Sequence, residues 1–564
     1  MFIRETTRKN KDGSTVSYLQ LAVSEWDRQR KRPVSRIVYS FGRTDEPQVF
    51  ERLRRLARGI LRRCSPEELV AERPNWQVVN AWPYGPVYAL EALWQRLGLA
   101  EIINRHARQS RLGFEVERAL FAMVANRALA ASSKLYCWEQ WLRQDVWITG
   151  TQDLQLQHMY RALDFLEQHR LSVEKEIFFR VSDLLNLEVN LIFYDTTSLH
   201  FEIDEEDEGF GEHNEVRGSL QAGSKKYAAP RKRGYAKNGR SDVPQIVVGL
   251  AITRDGLPVR HWIFPGNTVD VTTVKQVKKD LQGWQLGRCV FVCDAGMVSA
   301  DNLEKLALGG GKYIACMPVV RGGEVAREVL TMPGRYRDVA PNLRVKEVIV
   351  GDGERRRRYV VCHNPEEERR QQQHRAKVLQ ELEAELASLQ DRRDGDGHNK
   401  RACELHASRR YGRYLRQLKS GRLKIDKAAV RQAEKRDGRF VVHSNDDTLS
   451  PEDMALGYKQ LMRVEQSWRT LKSGLKLRPV YHWAPHRIHA HVSVTVLSLL
   501  LERVAEVACV DTWRNIRDDL GQIKVAQLSG PDGELWQVTE PKPDALNRLK
   551  SLQIPAPPLI LDHS

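Results

Sequence analysis

Three carboxylates stand where chemistry could be built. The run Leu191–Tyr194 is apolar and ends on Asp195, and the run Val290–Cys293 is apolar and ends on Asp294. A carboxylate closing a buried strand is costly unless a partner offsets it. If these two strands lie side by side and parallel, both carboxylates emerge at one sheet edge, where open α/β sheets favour binding sites. Two such acids repel and raise each other's pKa unless a cation joins them. Hard oxygen ligands suit Mg²⁺ or Mn²⁺, which retain waters and meet substrate phosphates. From the strands alone the rival reading stays open: two unrelated aspartates that cap turns or helices.

A third acid shifts the balance. Tyr458, Glu465 and Lys472 recur at intervals of seven. Seven residues make almost two helical turns, so on one helix the three share a stripe, with neighbours about 10 Å apart along the axis. Leu461 and Trp468 lie close to that stripe and predict packing on the sheet. Glu465 would then be held next to Asp195 and Asp294. An ammonium and a phenol flanking such an acid offer charge neutralisation and a donor to a phosphodiester backbone. An amphipathic surface helix with ordinary ion pairs explains Lys472 and Arg469, but not the two strand-end aspartates.

The elements that must position these residues follow from hydrophobic period. Residues 1–72 alternate as short strands with basic turns, then form a basic amphipathic helix, predicting a small antiparallel sheet with DNA binding or a solvated face as its role. Residues 73–186 are periodic at helical spacing and could bind DNA or support a dimer. From 189 the order is β-β-β-α-β-α-β, with a hairpin turn at Arg254–Leu257 carrying Asp-Gly. Three antiparallel strands and two reached through helices predict a mixed sheet with helices on its faces. Residues 187–318 and 438–510 thus make one α/β domain, interrupted by a strand-plus-helix insertion, 319–437. Within it Leu379, Leu382, Leu386 and Leu389 predict an intramolecular helical hairpin rather than a coiled-coil dimer. Residues 511–564, rich in proline, read as a loosely packed tail.

At this point the sequence resembles the DDE transposases of bacterial insertion sequences, in the branch with a Tyr-x2-Arg-x3-Glu-x6-Lys signature. The matching elements are FYDTT, VFVCDAG and the Tyr458, Glu465, Lys472 series, joined by PQIVVGLAITRDGLPV and FPGNTVD, in the family's order. The large insertion before the glutamate is also similar to this branch. Leu461 stands where the signature has arginine. Arg463 lies two residues on, about 200° around a helix, and so cannot take that place on the same face. The resemblance implies an RNase H-like fold in which Asp195, Asp294 and Glu465 are catalytic and bind two Mg²⁺ (or Mn²⁺) ions about 3.5 to 4 Å apart. It implies hydrolysis at the element's ends, transfer of the 3′ ends into target double-stranded DNA, and a homodimer on paired ends. Lys472, Tyr458, Arg469 and Arg463 would contact DNA, and Trp468 would be core or a stacking platform for a displaced base. An RNase H-like nuclease without strand transfer and a non-catalytic DNA-binding protein are the alternatives.

Composition bounds the rest. A chain of 564 residues, 29% charged and with net charge +16, reads as a globular protein with a polyanionic partner. Eight cysteines in this length do not form a disulfide framework, and a reducing bacterial cytoplasm fits. The opening MFIRETTRKNK is polar and predicts no leader. The apolar run Val492–Leu501 is too short for a membrane span. The acidic run 202–215 lacks calcium-loop spacing and reads as a solvated loop. The basic stretch 225–240 reads as a DNA contact or a flexible loop. The histidines 482, 486, 489 and 491 lack a spacing that specifies zinc.

Overall fold

The computed structural model describes residues 1–9, 15–29, 31–61, 77–110, 112–187, 189–207, 230–235, 239–319, 323–353, 356–391, 396–419, 421–530 and 533–561. The chain divides into two units, the first comprising residues 1–81, 526–537 and 560–564. In it β1 (Phe2–Lys9), β2 (Thr15–Asp27) and β3 (Arg32–Arg43) form an antiparallel meander, followed by the helix Pro47–Leu61. The strand β4 (Gln77–Pro83) comes next.

The second unit holds the candidate site. Its sheet begins with β5 (Leu191–His200), β6 (Gln245–Ile252), β7 (Pro258–Pro265), β8 (Val290–Cys293) and β9 (Lys312–Cys316). Their spatial order is β7-β6-β5-β8-β9. β5, β6 and β7 are antiparallel neighbours, whereas β8 and β9 run parallel to β5. This is the mixed sheet of the RNase H-like architecture. The β6–β7 turn needs its glycine, since Gly256 has φ of +82°. The helices Asp270–Gln282 and Ala300–Ala307 cover one face, where Ile192, Tyr194, Phe291, Cys293 and Tyr313 form a buried cluster.

The block 319–437 is not a separate unit beside this sheet. Its strands β10 (Arg337–Ala340), β11 (Leu343–Val350) and β12 (Arg357–His363) extend the sheet through β15 (Arg439–Ser444), giving nine strands in the order β10-β11-β12-β15-β9-β8-β5-β6-β7. The physical reason is the edge of β9, which would otherwise present unpaired backbone groups. Only the helices Pro365–Asp391, Asp396–Ala407 and Lys427–Glu434, with the hairpin β13 (Leu415–Gln417) and β14 (Leu423–Ile425), stand apart from the sheet. They share a cluster of Val378, Leu382, Leu389, Leu405 and Tyr414, and Leu379 and Leu386 pack against it. The leucine stripe is thus used within the chain.

The helical region, with helices Gly85–Arg96, Leu99–Arg108, Val116–Ala130 and Leu156–Leu184, packs around the buried helix Pro485–Cys509. The expected loose tail is instead folded. It contains the helices Trp513–Leu520 and Pro543–Ser551 and the strands β16 (Lys524–Gly530), β17 (Gly533–Val538) and β18 (Ile560–Leu561), which join β4 in a four-stranded sheet. Pro543 falls in a helix's first turn, where its missing N–H breaks no bond. Trp513, Ile516, Leu520 and Leu549 are buried. No helix among the described residues is long and apolar enough to cross a membrane.

Candidate active site

Asp195 does not end its strand. β5 continues five residues beyond it, paired with β6, so that Asp195 lies opposite Leu250. β8 is shorter: its last register pair with β5 is Cys293 against Tyr194. From Asp195 onward β5 therefore keeps β6 on one side and loses β8 on the other. The notch so formed holds Asp195 and, one residue past the end of β8, Asp294. The strand-end carboxylates expected from the sequence are thus neighbours at one level of two parallel strands. Alternation sets their direction, because Tyr194 and Cys293 enter the cluster beneath the helix Asp270–Gln282, so the next residues point to the opposite face.

That opposite face is crossed by the segment carrying the third acid. The helix Pro451–Lys459 packs on β11, β12, β15, β9 and β8, and the helix Met462–Arg469 continues over β5 and β6. Gly457 allows the close approach, since a Cβ there would lie 3.0 Å from Ile314 Cδ1. The single continuous helix expected from the interval of seven is not present. Between Tyr458 and Val464 three i→i−3 bonds replace the α-helical ladder: Leu461 to Tyr458 at 2.9 Å, Arg463 to Gln460 at 2.9 Å and Val464 to Leu461 at 3.0 Å. Each tightened residue turns the chain by roughly 20° more than an α-helix does. A π-helical turn, Thr470–Gly474, then carries Lys472. Tyr458, Glu465 and Lys472 therefore occupy three differently wound segments.

Tyr458 reaches the notch, its hydroxyl donating to Asp294 Oδ1 at 2.8 Å. Burial, with Cys316 and Asp294 beside it, pushes the phenol's pKa up from its ordinary value. Glu465 lies on the helix over β5, exposed, its carboxylate with no hydrogen bond or ion pair among the described residues. No three His, Cys, Asp or Glu side chains among the described residues stand close enough to hold a metal ion. Asp195 and Asp294 are thus brought to one notch, and Glu465 stands on the packed helix without closing a three-acid cluster. The donor chemistry of these hard carboxylate oxygens still fits Mg²⁺ or Mn²⁺.

The remaining expected residues divide. Lys472 is half-buried and Arg469 is exposed. Arg463 points away from the notch, to Asp255 of the β6–β7 turn at 4.0 Å, while Leu461 is buried. Trp468 is 5% exposed, which makes it core and excludes a stacking platform in this conformation. His486 and His489 pair with Asp164 and Glu167 at 3.1 and 3.2 Å, so these histidines link helices rather than ligate zinc.

The sequence left other residues of this region unassigned. Asp270 accepts a hydrogen bond from the Thr196 hydroxyl at 2.5 Å, which puts a further acid beside β5. Arg478 donates to His200 Nδ1 at 3.1 Å, tying the segment after Lys472 to the far end of β5. Arg127, 3% exposed, donates to the Lys476 carbonyl at 3.0 Å and anchors the same segment from the helical region. The acidic and basic runs also answer each other. Arg231 donates to Asp207 at 2.7 Å, Arg240 to Glu202 at 3.2 Å, and Lys232 lies 3.6 Å from Glu206. Each of these described cations has a carboxylate beside it, and residues 208–229 and 236–238 lie outside the described residues.

Two family models match the chain. The family model described as Transposase DDE domain matches residues 213–501, half of the chain, and one described as IS1634 family transposase, N-terminal domain, matches residues 3–72. The chain belongs to the DDE transposases of insertion sequences. The matched DDE span contains Asp294 and Glu465, and Asp195 precedes it. Among solved structures, the chain is similar to a piggyBac transposase in a cryo-EM synaptic complex with hairpin DNA, at 10% identity and a TM-score of 0.33, over 76% of this chain and 79% of that one. No curated protein matches.

Proposed function

We propose that this transposase cuts the ends of its insertion sequence by metal-dependent hydrolysis and transfers the freed 3′ ends into target double-stranded DNA, working as a dimer on paired ends. The observation that carries this reading is the notch, in which Asp195 and Asp294 stand at one level on adjacent parallel strands and share a face with the Glu465 helix. Asp195, Asp294 and Glu465 would hold two Mg²⁺ or Mn²⁺ ions. When bound, these supply activation of water or a 3′-hydroxyl and stabilisation of the leaving oxygen. Asp195 is fixed by ladder pairing with β6, so its carboxylate is aimed before any DNA arrives. Glu465, exposed on the helix packed over β5 and β6, would be the third ligand. Lys472 and Arg469 neutralise phosphates beside the cut, and Tyr458 orients Asp294.

The test is cleavage of duplexes carrying the element's ends, followed by joining of those ends to a plasmid, in Mg²⁺ and in chelator. Asp195→Asn, Asp294→Asn and Glu465→Gln should each lower cleavage by about 10²- to 10³-fold or more while retaining DNA binding. Intact cleavage in all three would overturn the site. Cleavage without joining would leave a nuclease.

A further inference from the structure

The inserted helices enclose a second concentration of charge. The helices Pro365–Asp391 and Lys427–Glu434 flank a cavity of about 780 Å³. Among its lining residues Arg375 donates to Asp437 at 2.6 Å, the two side chains being 8% and 6% exposed. Arg370 on the wall is answered by Glu367 at 2.8 Å. Arg413, Arg436 and His374 also line the cavity and have no carboxylate partner among the described residues. The Arg413 guanidinium lies over the buried Tyr414 ring at 4.8 Å. Stacking engages the face of the guanidinium and leaves its in-plane N–H donors for the cavity. Two arginines without counter-charge around one concavity repel each other unless an anion completes them.

Topology places this cavity relative to the notch. β12 and β9 are each antiparallel to β15, so they run the same way, and β9 runs parallel to β8 and β5. The chain therefore leaves β12 for the helix Pro365–Asp391 at the carboxyl edge of the sheet and re-enters β15 from that edge. Asp195 and Asp294 lie toward the same edge. β12 is three strands from β8, roughly 14 Å at the usual strand spacing. A polyanion lying along this edge spans both places.

We propose that the cavity is a phosphate-binding site for DNA crossing the carboxyl edge of the sheet, with Arg413 and Arg436 as its ligands. The site rests on the chain acting on DNA, but not on cleavage, so it is read without metal. Full-length protein is titrated in chelator against a labelled duplex by fluorescence anisotropy over a range of salt concentrations. Arg413→Gln with Arg436→Gln should weaken binding roughly tenfold and lower the slope of log K against log salt by about 1.8, or 0.9 for each lost phosphate contact. The thermal unfolding midpoint, which registers any misfolding, should not change. The single variant Arg436→Glu, which adds repulsion, should weaken binding further than Arg436→Gln. An unchanged slope in the folded double variant overturns the cavity alone, whereas a wild-type chain that binds no DNA overturns the function itself. Pyrophosphate binding that the double variant abolishes, with the DNA slope unchanged, would assign the cavity to a free anion and overturn the proposal.

Discussion

The Tyr458 hydroxyl donates to Asp294 Oδ1 at 2.8 Å, across 164 residues of sequence. This bond offers the phenol a task beside the phosphate contact expected of it, that of orienting Asp294. A group that orients a metal-binding carboxylate typically changes metal affinity by 10- to 100-fold on removal. Tyr458→Phe should therefore raise the Mg²⁺ concentration for half-maximal cleavage about tenfold and leave DNA affinity in chelator unchanged. Loss of DNA affinity with an unchanged Mg²⁺ requirement would return Tyr458 to the phosphate.

Gly249 faces Thr196 in the β5–β6 ladder, and a Cβ there would lie 2.6 Å from the Tyr194 hydroxyl oxygen and 2.9 Å from ring carbon Cε2. Tyr194 is fully buried and donates to Thr273 at 3.0 Å, so its ring has no free path of retreat. Gly249→Ala should cost about 1–3 kcal/mol by overpacking. It should also shift β5 where Asp195 is mounted. Urea unfolding reads the first effect and cleavage rate the second, and both should fall together.

The buried Arg375–Asp437 pair ties the helix Pro365–Asp391 to the segment that returns to β15. Asp437→Asn leaves a buried guanidinium uncompensated and should destabilise by about 3–5 kcal/mol. Replacing both partners with apolar residues should recover most of that loss, because the desolvation cost disappears with the charges. Urea unfolding of the three proteins separates these outcomes.

Acid should destabilise the core around the helix Pro485–Cys509. Burial, reinforced by Lys134 and Arg487, pushes the His482 pKa down to about 3, and burial with Arg127 holds His491 well below the usual value. The unfolded imidazoles bind protons near pH 6.5, so between there and about pH 3 the unfolded chain holds more protons than the folded one. Their contribution is fully present above about pH 6.5 and is lost as pH falls toward the folded values. Each group contributes up to about 1.4 kcal/mol per pH unit in that window. The unfolding midpoint should drop from pH 7.5 to pH 5, and His482→Gln should make that drop shallower.

Much of the central fold was legible because period survives in local sequence. The β-β-β-α-β-α-β order, the Asp-Gly turn at Gly256 and the apolar runs before Asp195 and Asp294 all express alternation or turn chemistry within a few residues. The leucine stripe at 379–389 was legible for the same reason. Strand length was not. The apolar run closes at Tyr194, and pairing with β6 is what carries the strand on to His200.

What tertiary structure alone decided are relations between distant segments. β12 and β15 join the sheet beside β9 because its backbone edge had to be paired, and no local pattern encodes that partner. Nothing local in the acidic run or the basic stretch tells that Asp207 meets Arg231, Glu206 meets Lys232 and Glu202 meets Arg240. An interval of seven residues specified a common stripe only for a uniformly wound helix. Packing across seven strands, from β11 to β6, tightened the chain at Leu461 and loosened it at Thr470, which sent Tyr458 to Asp294 and left Glu465 exposed. The sequence determined which side chains could do the chemistry. Winding and strand pairing, which depend on partners far along the chain, decided where each of them points.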